Sequence, residues 1–338
     1  MSESIKEDGP VESQMDRRDF LIRSAKAGAI VGIAAALGYF LHDPLGPRAP
    51  ADDSLRRAAG LPDFSVPGAG RKIAIATGND RIKSVGAALE ALGGMGNFIK
   101  KGDRVLIKVN AAFASPPSLC ATTNPELLAE VTRLCFRAGA ASVAVTDTPI
   151  NDPESCFLLS GIGEATQSSG AELILPAESL FTEFSAPGSH LIRNWPVLTG
   201  AFKGATKLIG ICPVKNHYRA GASMSMKNWY GFVGGRRNLF HQDIHTFIKE
   251  LAVMIRPTLV ILDGTFVMIS NGPTGGSVSD LKQTDTMIAS TDQVAADSAG
   301  ARLLGKTAGD LPFIIKAEQA GVGTSDFESL KPLRVSTG

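Results

Sequence analysis

The chemically richest part of the chain is the segment 213–245, which reads PVKNHYRAGASMSMKNWYGFVGGRRNLFHQDIH. It contains three of the five histidines, together with two lysines, three arginines and four glycines. A segment so rich in glycine and titratable groups is poor core material, and binding residues collect on loops that a rigid scaffold carries. We therefore expect a binding site here, either for a metal ion or for a ligand that carries an anionic group.

The histidines of this segment suggest a metal site. His241 and His245 are four residues apart at the start of a predicted helix, so both would project from one face and could share an ion. Asp263, at the end of the apolar segment Thr258–Gly264, is a third candidate ligand. The alternatives are a solvated or capping histidine pair and a phosphate cradle built from the glycines and basic groups. Neither G-x-x-x-x-G-K-S/T nor G-x-G-x-x-G is present, so no standard nucleotide fingerprint applies.

Apolar segments that alternate with helical ones must position these groups. Short β-branched segments separated by amphipathic ones are typical of parallel βαβ units. The sequence therefore predicts an α/β fold, with a mostly parallel sheet and helices on both of its faces. In such a sheet, ligands bind outside the carboxyl ends of the strands. Five polar residues fall at or just past those ends and predict a polar crevice: Lys108, Asn110, Asp147, Asp263 and Asp292.

The first fifty residues have the order of an export signal. Asp16-Arg17-Arg18-Asp19-Phe20-Leu21 precedes the apolar, Gly- and Ala-rich run Ala27–Leu41, which is too short for a comfortable membrane span. The arginine pair resembles the twin-arginine signal that a translocon receptor reads. We expect a signal peptide at 1–42, a linker at 43–70 and an α/β domain at 71–338, with a division into two lobes near 205–215 as an alternative. The protein would be periplasmic or otherwise extracytoplasmic, and membrane-anchored if the signal is not cleaved.

Charge and cysteine spacing exclude several classes of protein. The net charge of +1 and the lack of a basic run interleaved with aromatics leave nucleic-acid binding unsupported. The four cysteines include no C-x-x-C pair, which argues against a zinc ribbon or a ferredoxin-type iron–sulfur cluster. Buried thiols, one disulfide formed after export, and a cluster assembled from distant cysteines remain as alternatives.

Several motifs resemble the bacterial and archaeal family known as domain of unknown function 362. The resemblance covers about residues 70–325. Many relatives carry a ferredoxin-like module whose cysteines this chain lacks, so no such cluster is expected. The matching motifs are IKVN at Ile107–Asn110, TNPELL at Thr123–Leu128, MKNWYGFVGG at Met226–Gly235, His241, RPTLVILDG at Arg256–Gly264, NGPTGG at Asn271–Gly276 and STDQVAADSAGARLLG at Ser290–Gly305.

The stretch from His217 to Lys227 is also similar to the H-Y-x-A-G-x-S-x-x-x-K segment of the nickel-pincer lactate racemases. That resemblance implies that Lys227 attaches a nickel-holding pyridinium cofactor, that His217 transfers protons and that His241 ligates the metal. The racemases' glycine pair before the lysine is Met224-Ser225 here, and Asp147 and its neighbours stand where their second acid/base histidine would be. Racemisation needs a proton relay on each face of the substrate carbon, so lactate racemase activity itself is not expected.

Together these observations predict an exported protein with a basic crevice that binds a divalent metal or a phosphate-bearing cofactor. Its chemistry would be redox or proton transfer on a small organic acid. The expected partners are the twin-arginine translocon and a small-molecule ligand. A non-catalytic binding protein for an anion or metal, and a structural partner in an exported complex, are the alternatives. The candidate residues are His217 and Lys227 for catalysis, Lys108, Asn110, Arg219 and Asn228 for cofactor binding, and His241, His245 and Asp263 for metal.

Overall fold

A computed structural model describes residues 61–338. The twin-arginine signal and the part of the linker up to residue 60 lie outside the described residues. Residues 61–70, assigned to the linker from sequence, contain no helix or strand. Phe64 is nevertheless buried: its N–H donates to Arg256 O at 3.0 Å, and its ring stacks on Phe202 with centroids 5.9 Å apart. The end of the predicted linker therefore packs on the domain.

The domain is built on a nine-stranded sheet, with a separate two-stranded hairpin. The strands are β1 Ile73–Thr77, β2 Arg104–Lys108, β3 Ser142–Thr146, β4 Glu172–Ile174, β5 Thr182–Phe184, β6 Trp195–Val197, β7 Lys207–His217, β8 Gly221–Ser223, β9 Leu259–Met268, β10 Leu281–Ser290 and β11 Leu333–Ser336. The main order is β11-β1-β10-β9-β7-β2-β3-β4, with β8 beside β7, and β5 pairs with β6. Strands β9, β7, β2, β3 and β4 are parallel neighbours, whereas β10 is antiparallel to both β9 and β1. The sheet is mostly parallel.

Helices cover both faces of this sheet. They are α1 Arg81–Ala91, α2 Pro125–Arg137, α3 Pro153–Leu159, α4 Ile162–Ser168, α5 Ser225–Asn228, α6 Ile244–Met254, α7 Gln293–Leu303 and α8 Pro312–Gln319. Successive strand residues point to opposite faces, so Ile209 packs in the core under α1 and α2 while its neighbour Leu208 packs under α6, α7 and α8. None of the helices among residues 61–338 is both long and apolar enough to cross a membrane.

Local capping signals in the sequence are confirmed. Asn124 accepts hydrogen bonds from the N–H groups of residues 126 and 127, and Pro125 occupies the first position of α2. Asp292 does the same for α7. These caps satisfy backbone donors that have no partner within the helix. They also fix where each helix leaves the carboxyl edge of the sheet.

Two local expectations were wrong. The segment 213–245 is not a surface loop, because β7 continues to His217 and Trp229 is completely buried. Asp263 does not end a strand: β9 runs on to Met268, and Asp263 sits opposite Met287 within the ladder. Polar residues can continue a strand when neighbouring strands satisfy its backbone groups, and composition does not reveal those neighbours.

The four cysteines are unpaired in the structure. Cys135, Cys156 and Cys212 are buried and Cys120 is half-buried. Burial raises the pKa of Cys135 to about 12, which keeps the thiol protonated and weakly nucleophilic at neutral pH. These side chains fit the description of small buried hydrophobic groups.

Candidate functional site

A cavity of about 1030 Å³ opens at the carboxyl ends of β2 and β3 and beside the end of β7. This is the place where parallel α/β sheets bind ligands. Six of the nine residues proposed from sequence line it: Lys108, Asn110, His217, Lys227, Asn228 and His241. The remaining walls include apolar side chains at Phe113, Ile150, Phe181 and Tyr218. The cavity is large enough for a cofactor-sized molecule.

A buried ion pair forms the floor. Lys108 Nζ lies 2.7 Å from Asp147 Oδ1, and both side chains are almost completely buried. Lys108 Nζ also donates to Asn228 Oδ1 at 3.2 Å, and Asp147 Oδ2 accepts the N–H of Ala111 at 2.6 Å. A buried charge needs such partners, because water no longer solvates it. Lys108 and Asn228 are therefore held in fixed positions at the base of the cavity.

Glycine at position 231 allows this pair to form. A Cβ built on Gly231 would lie 1.8 Å from Asp147 Oδ1 and 2.7 Å from Lys108 Nζ. The Gly231 carbonyl also accepts the N–H of Thr148 at 3.1 Å. The glycine thus lets the backbone after α5 approach the strand ends, which brings the MKNWYG motif onto the floor of the cavity.

Two further cations lie beside the pair, each bound to carbonyl oxygens. Lys215 Nζ donates to Ala121 O, and burial lowers the pKa of Lys215 to about 8. The Arg237 guanidinium donates to the carbonyls of Thr148 and Pro149 at 2.7 and 2.8 Å and to two carbonyls of residues 230 and 233. Carbonyl partners hold a cation in place without neutralising it. The positive potential of the cavity therefore remains available to an anionic ligand.

His217 is held as a neutral hydrogen-bond donor. Its Nδ1 accepts the backbone N–H groups of Arg219 and Ala220, both at 3.2 Å, so the ring proton of the neutral form is on Nε2. Burial, followed by the charges of Lys227 and His241, lowers the pKa of His217 to about 2. A ring that does not take up a second proton near neutral pH is better suited to donate a hydrogen bond than to carry protons.

His241 has the complementary arrangement. Its Nδ1 is 3.1 Å from Asn238 O, so Nδ1 is the donor and Nε2 keeps a free lone pair. The ring stacks on His217 with centroids 5.9 Å apart and lies 5.6 Å from the Tyr230 ring. Burial and the nearby charge of Lys227 lower the pKa of His241. A neutral imidazole with a free nitrogen can act as a base.

Lys227 projects from the single helical turn α5. Asp297 of α7 holds the start of that turn, because its carboxylate accepts the N–H groups of Ser225 and Met226 at 2.8 and 3.1 Å as well as the Ser225 hydroxyl. Lys227 Nζ lies 5.0 Å from the centroid of the Tyr230 ring. Within residues 61–338 it has neither a hydrogen-bond acceptor nor a carboxylate partner. Burial, then Lys215 and Arg237, lower its pKa to about 7.

The cavity also holds buried polar atoms that lack a partner. Asn110 Oδ1 and Thr148 Oγ1 make no hydrogen bond within the described part of the chain, although both residues line the cavity. Buried polar atoms are nearly always satisfied in folded proteins, so those that are not call for an explanation. A bound ligand with its own polar groups would satisfy them.

Three of the predicted site residues are not brought to the cavity. Arg219 is exposed, with its guanidinium over the Tyr218 ring at 5.7 Å. His245 stacks against Phe313 on α8, with centroids 6.1 Å apart. Asp263 pairs with Arg81, Oδ2 to Nε at 2.7 Å, on the α1 side of the sheet.

His241 and His245 do not share one helical face, because a new helix begins between them. A 3-10 helix spans Arg237–Asp243, and α6 begins only at Ile244, with Asp243 as its N-cap. His241 and His245 therefore belong to two helices with different registers. Within residues 61–338 no group of three or more His, Cys, Asp or Glu side chains could hold a metal ion. The residues present do not fit a metal that the protein alone would coordinate.

Among the lining residues outside the proposed set, four bear directly on the charge and hydrogen bonding of the cavity: Asp147, Lys215, Tyr230 and Arg237. The sequence does place Asp147 at the end of a strand, and it shows that Lys215 and Arg237 belong to a segment rich in basic residues. Tyr230 had no signal of its own, since its role depends on the proximity of its ring to Lys227 and to His241, which tertiary packing sets.

Comparison with known proteins agrees with this reading of the motifs. Residues 105–302 match the family model described as "Domain of unknown function (DUF362)". The chain belongs to this family. The matched range includes Lys108, the whole segment 213–245 and all but the last residue of α7. Every residue that lines the cavity falls within it.

One relative and one solved structure extend the comparison. The DUF362 chain is 27% identical over 260 residues to the thylakoid-associated protein sll1697 from Synechocystis sp., covering 75% of this chain and 78% of that protein. It is also similar to the lactate racemase apoprotein from Thermoanaerobacterium thermosaccharolyticum, at a TM-score of 0.40 and 14% identity. That alignment covers 71% of this chain and 57% of the racemase chain.

Proposed function

We propose that this protein binds a small organic anion, carrying a phosphate or carboxylate group, in the cavity and acts on it by proton transfer. The observation that supports this most directly is the imbalance of charge. Lys215, Lys227 and Arg237 line the cavity, and within residues 61–338 none of them has a carboxylate at ion-pair distance. An anionic group entering the cavity would meet cations already in place, which lowers the cost of its desolvation.

Different side chains of the cavity would bind the anion and transfer the proton. Lys215 and Arg237 would hold the anionic group, and Asn110 and Thr148 would use their unpartnered oxygens on the ligand's donors. His241, with a free Nε2, would remove a proton, while His217 would donate a hydrogen bond from Nε2. A base and a fixed donor on adjacent stacked rings can stabilise the charge that develops when a carbon acid loses a proton.

A phosphate-bearing cofactor is compatible with the same cavity, and would extend the chemistry to redox reactions. A nickel-type or other divalent metal is less easily accommodated. Among residues 61–338, His241 is the one imidazole of the cavity with an unshared Nε2 lone pair, and the side chains near it are cationic. A metal would have to arrive within a cofactor that supplies its remaining ligands. Asn228 and Lys108, fixed at the floor, would then contact that cofactor.

Export by the twin-arginine route is part of the proposal. It rests on the Arg17-Arg18 pair and the apolar run that follows. The relative sll1697 is described as thylakoid-associated, which supports a location outside the cytoplasm or at a membrane. Export after folding suits a protein that must load a cofactor before it leaves the cytoplasm. The intact mass of the exported protein would report both signal cleavage and a covalently attached group.

Calorimetric titration of the full-length protein with inorganic pyrophosphate tests the binding claim. We expect binding that weakens about tenfold or more in Lys215→Met, since loss of one charge-assisted contact costs about 1.5 kcal/mol or more. Lys282→Met, at an exposed lysine outside the cavity, is the matched control and should bind normally. No measurable binding by the parent protein, or equal weakening in both variants, would contradict the proposal.

Exchange in D2O separates an enzyme from a binding protein. A catalyst of proton transfer should exchange the C–H proton of a bound hydroxy acid, and His241→Gln should abolish that exchange while leaving pyrophosphate affinity within about threefold. Binding without exchange for any acid tested would favour the alternative, a non-catalytic extracytoplasmic protein that captures anions.

A further inference from the structure

Among residues 61–338, the amine of Lys227 differs from the other cations of the cavity because it has no hydrogen-bond or ion-pair partner. Lys108 is paired with Asp147, Lys215 donates to Ala121 O, and Arg237 donates to four carbonyls. Within the described part of the chain, Lys227 Nζ is left with the face of the Tyr230 ring at 5.0 Å. A lysine that merely balanced charge would be expected beside a carboxylate.

Its placement is nevertheless well defined. Asp297 fixes the first turn of α5 through two backbone N–H groups, and Asn228, the next residue, donates from Nδ2 to Lys108 O at 3.2 Å. Lys227 is therefore anchored on both sides of its own backbone while its side chain remains free. An immobile backbone with an unengaged amine is the arrangement that a nucleophilic lysine needs.

The electrostatic surroundings support the same role. Burial and the charges of Lys215 and Arg237 bring the pKa of Lys227 to about 7, so a large fraction of the amine is uncharged at neutral pH. An exposed lysine is almost fully protonated there. His241, whose ring lies beside Tyr230, supplies a lone pair that can move a proton.

We infer that Lys227 forms an imine with an aldehyde or ketone that carries a phosphate or carboxylate group. This inference rests on the proposed function, because the anionic group is what Lys215 and Arg237 would hold. The substrate class is thus an anionic carbonyl compound, and the lysine becomes a covalent attachment point.

The step balances without any further reactant. The neutral Lys227 nitrogen attacks the carbonyl carbon, a C–N bond forms, and the carbonyl π electrons move to oxygen. His241 Nε2 takes a proton from the nitrogen and returns it to that oxygen, giving a carbinolamine. His241 Nε2 then carries the remaining N–H proton of the carbinolamine to the hydroxyl group. The C–O bond breaks, water leaves, and the nitrogen lone pair forms the C=N bond of the imine.

Pyridoxal 5′-phosphate, which carries both an aldehyde and a phosphate, is the probe. Full-length protein is treated with less than one equivalent at pH 7, reduced with borohydride, and mapped by peptide mass spectrometry. We expect the label on Lys227, formed about 100-fold faster than on the exposed Lys282, with a pH midpoint near 7. Inorganic pyrophosphate should protect Lys227, and pyridoxal without phosphate should react far more slowly.

Labelling spread over exposed lysines, or a Lys227 rate that rises only above pH 9, would overturn the inference. Mapping on the parent protein decides this without any variant, and Lys227→Arg, which keeps the charge, should lose the rapid label while Lys282→Arg keeps it. Calorimetry on the same sample distinguishes the two proposals. Pyrophosphate binding with no Lys227 label removes the imine but leaves the anion site, whereas failure to bind pyrophosphate removes the anion site itself.

Discussion

Gly231→Ala should destabilise the protein by disrupting the floor of the cavity. The new Cβ would lie 1.8 Å from Asp147 Oδ1, whereas heavy atoms in contact need about 3.5 Å, so the carboxylate must move by roughly 1.7 Å. That movement breaks the 2.7 Å contact with Lys108 Nζ and the 2.8 Å hydrogen bond from the Thr148 N–H. Loss of one partner of a buried ion pair costs about 3–5 kcal/mol. Because the carboxylate is displaced rather than removed, we expect about 2–4 kcal/mol.

Equilibrium urea unfolding of the parent and variant proteins measures this cost. Gly86→Ala is the matched control, because Gly86 lies within α1 and a Cβ there meets nothing within 4 Å. That substitution should be neutral or stabilise the protein by about 0.5–1 kcal/mol. The urea dependence of the unfolding free energy should not change in either variant, since the surface exposed on unfolding is the same.

A second background shows whether the ion pair is the cause. In a Lys108→Ala/Asp147→Ala protein, both side chains that the new Cβ would meet are shortened and neither member of the ion pair remains. Gly231→Ala should then cost less than about 1 kcal/mol, a coupling of the size expected for residues in direct contact. An undiminished cost in that background, or a cost below 1 kcal/mol in the parent, would refute the reasoning.

Three further substitutions test other parts of the structure. Asp297→Ala should lower the free energy of unfolding in urea by about 2–3 kcal/mol, because it leaves two buried N–H groups of α5 unsatisfied. A loss no larger than that of Asp152→Ala, which removes an exposed helix cap, would contradict this. The pKa of Lys227 is about 7, below its usual 10.5, so between these pH values the folded protein binds fewer protons than the unfolded chain. The free energy of unfolding should therefore rise from pH 7 to pH 10.5. Lys227→Met should flatten that rise, and an unchanged slope would contradict the lowered pKa of Lys227. Burial raises the pKa of Glu250, but hydrogen bonds from residues 189–192 outweigh that effect and leave the net pKa below 4.5. The contribution of Glu250 to the free energy of unfolding is therefore present above pH 4.5 and is lost as the pH falls. Glu250→Gln should lose about 1–3 kcal/mol at pH 7 and respond less to acid, as thermal unfolding across pH would show.

Much of the fold follows from local pattern. Apolar segments of strand length predicted β2 and β3, and the polar residues after them predicted that Lys108, Asn110 and Asp147 would meet at one edge. Asn124 and Asp292 marked helix starts for the same kind of reason, since a cap depends on residues two or three positions away. Predictions of this kind succeed because the deciding contacts lie within a few residues.

The site was harder to predict where two distant segments decide the outcome. His241 and His245 looked like a pair because their spacing fits one helix, but the helix begins at Ile244 and sends them to different neighbours. Asp263 looked like a strand end until β10 paired with the continuation of β9. In both cases the local spacing predicts the element type, but contacts with distant segments decide where the helix begins and where the strand ends.

The sequence by itself determined the family, the mostly parallel sheet and the set of basic and imidazole groups gathered in one segment. Only the tertiary structure decided which of those groups are engaged. Lys108 is neutralised by Asp147, which lies 39 residues further along the chain at the end of the neighbouring strand. Lys227 has no carboxylate partner within residues 61–338, and its amine lies over the Tyr230 ring. The residue type determines the sign of a side chain's charge. Its pKa and reactivity depend on burial and on partners that come close only when the chain folds.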